Sequence, residues 1–237
     1  MTPFVILADL RTGSTLLSST LDRHPEVTCW GELLHTQDFP DNCPPGADRH
    51  ALDGRSLVRR AFSSRAGRLA SSARGFRAMV GQPEPTEPQW SSAWDELAAT
   101  PGLRVIELRR EDRLAQFASL RVAAQTGIYH HSPGDPVLTP DERPRFEVDP
   151  EELLAWAQER DALFAQRRAQ LGRRPFLVLT YEQLTQHWPH AMARVQHFLG
   201  VAAHALQPAK QKQETRPLAQ VILNYEQART ALALRGS

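Results

Sequence analysis

The sequence predicts an α/β fold, a parallel β-sheet flanked by helices on both faces, built as a single domain over residues 1–237. Three observations predict it. Apolar runs at Phe4-Val5-Ile6-Leu7-Ala8, Leu103-Arg104-Val105-Ile106-Glu107-Leu108 and Pro175-Phe176-Leu177-Val178-Leu179-Thr180 have the length and composition of strands covered on both sides. Segments with helical spacing of apolar residues lie between them, so strands and helices alternate. A chain of 237 residues can bury the core of one large α/β domain, and no internal repeat suggests another architecture.

The first strand feeds Asp9-Leu10-Arg11-Thr12-Gly13-Ser14-Thr15-Leu16-Leu17, a tight turn that needs a glycine followed by a helix opened by hydroxyl residues. Backbone N–H groups at such a helix start, together with the positive end of its dipole, form an anion cradle and make the sheet P-loop-like. Arg11 adds a fixed positive charge, while Thr12, Ser14 and Thr15 add hydroxyl donors. The plain alternative is that Ser14 caps an ordinary helix and Gly13 only makes the turn.

The helix over 14–23 stops at His24-Pro25, and a brief strand over 25–30 delivers Gly31-Glu32-Leu33-Leu34-His35 beside the loop. Residues 38–54 are rich in Pro, Asp and Asn and read as irregular. The basic stretch 54–80 carries Arg55, Arg59, Arg60, Arg65, Arg68, Arg74 and Arg77 at helical spacing, and its arginines read as a solvated face. A proline-rich loop over 82–88 and a short helix over 90–99 follow. The strand 103–108 then runs into Arg109-Arg110-Glu111-Asp112 and a helix over 112–126. In a parallel sheet the carboxyl ends of strands share one crevice, so two basic junctions there suggest a ligand with two phosphates. Residues 128–150 read as a substrate loop, 151–171 as an amphipathic helix, 175–180 as a third core strand, 189–199 as a helix ended by Gly200, and 218–234 as a closing helix.

Net charge is +1, from 28 basic and 27 acidic residues, so no bulk field calls for nucleic acid or an anionic membrane as partner. Cys29 and Cys43 have no ligand-spaced neighbours, which argues against a metal site and for a reducing compartment. No window approaches the roughly 18 apolar residues of a membrane span, and the chain opens directly on its first strand; the expectation is a cytoplasmic protein without membrane insertion. A homodimer is compatible with the sequence.

With these pieces assembled, the chain resembles the sulfotransferases that use 3′-phosphoadenosine 5′-phosphosulfate, and among them the bacterial carbohydrate enzymes of the trehalose and Nod-factor type. Arg11-Thr12-Gly13-Ser14-Thr15-Leu16-Leu17 is similar to the family's 5′-phosphosulfate loop. His24-Pro25-Glu26-Val27 followed by Gly31-Glu32-Leu33-Leu34 is similar to the segment presenting the acceptor-activating glutamate. Arg110-Glu111-Asp112 through Gln116 and Ser119 is similar to the 3′-phosphate segment, and Tyr181-Glu182-Gln183-Leu184 with Phe198-Leu199-Gly200 to the closing strand and helix.

The resemblance implies a metal-independent transfer from that donor to an acceptor hydroxyl, of a carbohydrate, glycolipid or other small molecule, with Glu32 as general base. It implies Arg11, with Thr12, Gly13, Ser14, Thr15 and Leu16, on the 5′-phosphosulfate. Arg110 and Ser119, helped by Lys212 or Arg216, would hold the 3′-phosphate, with Arg109 the competitor of Arg110. Trp30 and His35, with Tyr129, His130 and His131, are candidates for the acceptor pocket, since aromatic faces stack on sugar rings. The insertions at about 38–100 and 128–150 are expected to shape that pocket. A small secondary metabolite is the alternative acceptor. A P-loop nucleotide kinase is the rival enzyme, although Gly-x-x-x-x-Gly-Lys-Ser/Thr is absent and the second strand ends in arginines rather than a magnesium-binding aspartate. A non-catalytic nucleotide-binding protein is the rival from another class.

Overall fold

The computed structural model describes residues 1–37, 43–44, 48–63, 71–129, 139, 142–209 and 216–235. In chain order the elements are β1 (Thr2–Ala8), α1 (Ser14–Leu21), β2 (Val27–Glu32), α2 (Gly54–Phe62), β3 (Ala73–Met79), α3 (Ala93–Ala99), β4 (Arg104–Arg109) and α4 (Arg113–Thr126). They continue as α5 (Pro150–Leu171), β5 (Phe176–Thr180), α6 (Tyr181–Gln186), α7 (Trp188–Leu199), α8 (Leu218–Val221) and α9 (Tyr225–Arg235). The strands form one parallel sheet in the order β2-β3-β1-β4-β5.

Strand β1 lies at the centre and is buried on both faces, which is why its sequence is a continuous apolar run rather than an alternation. Val5 and Leu7 pack with Leu57 and Val58 of α2, Leu97 of α3 and Phe164 of α5. Phe4, Ile6 and Ala8 point the other way, to Leu17 and Leu21 of α1, Leu184 of α6 and Met192 of α7. A third cluster joins Leu114 and Phe117 of α4 and Leu153 of α5 to Val221 and Ala228 near the C-terminus. No helix among the described residues is long and apolar enough to cross a membrane.

The largest departure from expectation lies in the basic stretch 54–80. Among its described residues Gly54–Phe62 is the helical part, and Arg55 and Arg59 there do form an exposed face, paired with Glu96, while Arg65 and Arg68 lie outside the described residues. Ala73–Met79 is instead a strand buried at every position, inserted between β1 and β2, so the stretch contributes to the sheet itself. Arg74 and Arg77 are therefore core residues rather than part of a solvated face. Their burial is eased by partners at the terminal nitrogens: Arg74 Nη1 donates to the Ser63 carbonyl, and Arg77 Nη1 to hydroxyls of α1. Gly75 permits the close approach of β3 to β1, since a Cβ there would lie 2.3 Å from the Phe4 carbonyl oxygen. Gly75→Ala is accordingly expected to destabilise the fold by about 1–3 kcal/mol, measured as the shift in urea midpoint; an unchanged midpoint would contradict this packing.

Two further expectations change. Strand β5 is the sheet edge and not a core strand, with Val178 exposed. The closing helix is broken between α8 and α9 because Ile222 bridges in parallel to Phe146, and the Asn224 side chain accepts from Val148 N–H and donates to its carbonyl.

The order of strands also fixes where a ligand would sit. The connection leaving β1 runs to β2 on one side, while that leaving β4 runs to β5 on the other. Neighbouring strands whose connections diverge leave a crevice at their carboxyl ends. That crevice lies between Ala8 and Arg109.

Candidate active site

At the carboxyl end of β1, Asp9 is buried and accepts a hydrogen bond from Gln116 Nε2 at 3.1 Å, with Arg160 Nη1 3.7 Å away. Burial pushes its carboxyl above the usual carboxylate range, and the Arg160 charge opposes that rise. These contacts brace the loop against α4 and α5. The Thr12 hydroxyl donates to the Asp9 carbonyl at 2.7 Å, so it closes the turn instead of facing the cleft. Gly13 has φ 84°, and a Cβ there would approach the Tyr181 ring to 2.9 Å. Ser14 is the first helical residue and not a cap; the cap position is Gly13, which has no side chain to offer. Gly13, Ser14, Thr15 and Leu16 line the cleft at a helix start, where first-turn N–H groups lack intrahelical partners.

Two arginines converge on this loop from adjacent strands. Arg11 donates from Nε to the Ser119 hydroxyl at 3.0 Å and from Nη1 to the Tyr129 carbonyl. Arg110 donates to the Arg11 carbonyl at 3.2 Å and lies over the Tyr181 ring, 4.5 Å from its centroid. Burial lowers the pKa of both guanidiniums, and at Arg11 the charge of Arg110 lowers it further. Two partly desolvated like charges this close create a field that an anion relieves. Arg109 plays no part in it. Its Nε is 2.6 Å from Glu107 Oε1 and its guanidinium stacks on Phe164, while Arg168 holds the other Glu107 oxygen at 2.6 Å.

Glu32 ends β2 next to a register shift between Trp30 and Glu32, where Gly31 is the extra residue, a bulge that re-aims the side chain. Its Oε1 accepts from Gln82 Nε2 at 2.6 Å. Because Gln82 Oε1 accepts the Met79 N–H at 3.1 Å, the Gln82 amide has one workable orientation, with its NH₂ toward Glu32. Glu32 Oε2 is 3.8 Å from Arg77 Nη2. Arg77 Nη1 meanwhile donates to the Thr15 hydroxyl and lies 3.5 Å from that of Ser14. Sequence reasoning missed both Arg77 and Gln82 as site residues. The apolar flanks of Arg77, Phe76 and Ala78-Met79-Val80, were the available sign of a strand; nothing local marked Gln82.

Arg11, Ser14, Thr15, Glu32, Arg77, Gln82, Arg110 and Ser119 line one cleft of about 2050 Å³. Trp30 and His35 line it too, although the Trp30 indole N–H is used on the Ala61 carbonyl at 3.1 Å and His35 Nδ1 accepts from Gln37 N–H at 2.9 Å. Tyr129 stands exposed on the same wall. Arg216 lines it as well, its guanidinium held near the Arg143 and Pro144 carbonyls. Lys212, His130 and His131 lie outside the described residues.

Three comparisons bear on this arrangement. The model of a family described as the sulfotransferase family matches residues 3–205. Nodulation protein H of Rhizobium meliloti (strain 1021) is 31% identical over 243 residues, covering 98% of this chain and 91% of its own length. That of Rhizobium tropici is 32% identical over 240 residues, covering 98% and 89%. A sulfotransferase from Alicyclobacillus acidocaldarius shares the fold at a TM-score of 0.55 and 15% identity, over 98% of this chain and 93% of that one. A family match over most of its length, with relatives of similar size, thus joins a sheet whose β1 and β4 ends present paired arginines: the chain belongs to the sulfotransferase family.

Proposed function

We propose that the cleft moves a sulfuryl group from 3′-phosphoadenosine 5′-phosphosulfate to a hydroxyl of a carbohydrate or glycolipid. The observation that carries this reading is the placement of Glu32 beside the α1 N-terminus, with Arg11 and Arg110 at that same loop. In it, Glu32 accepts the acceptor's hydroxyl proton as the oxygen attacks sulfur. The sulfur–oxygen bond to the nucleotide breaks, and the charge left on the phosphate oxygen is met by Arg11 and the first-turn N–H groups of α1. Arg110 and Ser119, helped by Lys212 or Arg216, take the 3′-phosphate.

Family membership supports sulfuryl transfer over the nucleotide-kinase reading. The resemblance to the bacterial carbohydrate branch, and relatives named for nodulation, support a sugar acceptor over a small secondary metabolite. Incubating the protein with radiolabelled phosphosulfate donor and a panel of oligosaccharides, glycolipids and phenols tests the reading. Label on a sugar is expected; label on phenols alone would overturn the acceptor class, and no turnover with any of them the activity.

Arg110→Ala is expected to weaken binding of 3′-phosphoadenosine 5′-phosphate by about 10–100-fold, the loss of a hydrogen bond to a charged group. Its affinity should then approach that for adenosine 5′-phosphate by calorimetry. A variant that kept the full preference for the 3′-phosphate would remove Arg110 from that role.

A further inference from the structure

We propose that Arg77 is a positioning residue that ties Glu32 to the donor loop, so that base and breaking bond keep a fixed separation. The proposal rests on the reading of Glu32 as base given above. Its grounds are three elements that meet at one guanidinium. Pairing of β2 with β3 puts Glu32 opposite Arg77, and the bulge at Gly31 turns the carboxylate toward it. One arm of the fork, Nη2, faces Glu32 Oε2 at 3.8 Å; the other, Nη1, reaches the Thr15 and Ser14 hydroxyls at the start of α1. Arg77 is 6% exposed, so this bridge is enclosed and only weakly screened.

The fork is what makes the tie. A planar guanidinium presents donors in two directions from a rigid group, so it can hold a carboxylate and a hydroxyl pair at once. Lysine concentrates its charge at one point and satisfies one side or the other. Gln82 completes the holder from β3's following turn by fixing Glu32 Oε1, and is itself pinned: its main-chain carbonyl accepts from Trp94 Nε1 at 2.6 Å and Arg167 Nη2 at 2.8 Å. A base held from two sides and coupled to the loop that would cradle the donor keeps the reacting atoms in register, and a misplacement of about 1 Å there can lower rate by 10²-fold.

The test is a double-mutant cycle on the full chain with Arg77→Met, Glu32→Gln and both together. It is read as kcat, acceptor KM and calorimetric affinity for 3′-phosphoadenosine 5′-phosphate. Arg77→Met is expected to lower kcat by about 10–100-fold and to leave nucleotide affinity within about threefold. In the Glu32→Gln background the same change should lower kcat by less than about threefold, because residues acting as a unit are not additive. Arg77→Lys should recover only part of the loss. Should Arg77→Met lose its folding transition, the cycle run with Arg77→Lys decides in its place. Multiplying losses, nucleotide affinity falling in step with kcat, or full activity in Arg77→Lys would each overturn the tie. Wild-type turnover in Glu32→Gln alone would instead overturn the general-base reading on which it rests.

Discussion

Replacing Glu32 by Gln is expected to lower turnover by about 10²–10⁴-fold, the usual worth of a positioned general base. The substitution is nearly isosteric. The amide oxygen can still accept from Gln82 Nε2, so the strand end and its bulge should keep their shape. What is lost is the carboxylate's basicity, which lets it take the acceptor's proton. The phosphosulfate would lie instead against the first turn of α1, which Glu32 does not cap, so affinity for 3′-phosphoadenosine 5′-phosphate should be retained. Single-turnover transfer and calorimetry on the same preparation separate the two quantities. Turnover equal to the wild type removes Glu32 from the role; joint loss of binding and turnover would make it a structural residue.

The second large effect is expected at Arg11, where activity and stability should separate. Its φ is 62°, in the left-handed region that favours glycine. Arg11→Gly relieves a backbone conformation costing about 1 kcal/mol, offset by a similar gain of freedom in the unfolded chain, about 0.4–1 kcal/mol. The hydrogen bonds to Ser119 and the Tyr129 carbonyl are also lost, so stability should fall by about 1–3 kcal/mol, less than would unfold the domain. The transfer rate should fall by about 10²–10³-fold, as when one preorganised donor to developing charge is removed. A stable Arg11→Gly protein with normal turnover would refute the role given to this guanidinium. A strained residue held in the loop between β1 and α1 is otherwise hard to account for, since glycine would fit the turn at no steric cost.

The parts of the site legible in the sequence are those built from consecutive residues. A buried apolar strand, a glycine at positive φ and hydroxyl residues opening a helix are local requirements, and Phe4 to Leu17 states all of them in order. The junction at Arg110 was legible for the same reason. Even so, sequence favoured Arg110 while leaving Arg109 as its competitor; Glu107 and Phe164 hold Arg109 away, one of them from α5 on a distant part of the chain. The β3 strand was illegible because two of its seven residues are arginines and one is glycine, which breaks the apolar signal on which strand recognition depends. Those arginines are tolerated only because their partners, Ser63, Thr15 and Glu32, arrive from other elements.

The sequence by itself determined the alternation of strands and helices, the glycine turn between β1 and a helix start, the basic end of β4 and the presence of Glu32 shortly after the first helix. It did so because hydrophobic period and turn chemistry are properties of neighbouring residues. The tertiary structure alone decided that β3 lies between β1 and β2, that β5 is an edge, and that Arg77 faces both Glu32 and Thr15. The Thr15–Arg77 contact spans 62 positions and the Glu32–Gln82 contact 50. Contacts at that separation follow from which strands pair and in what register, and no local pattern encodes either.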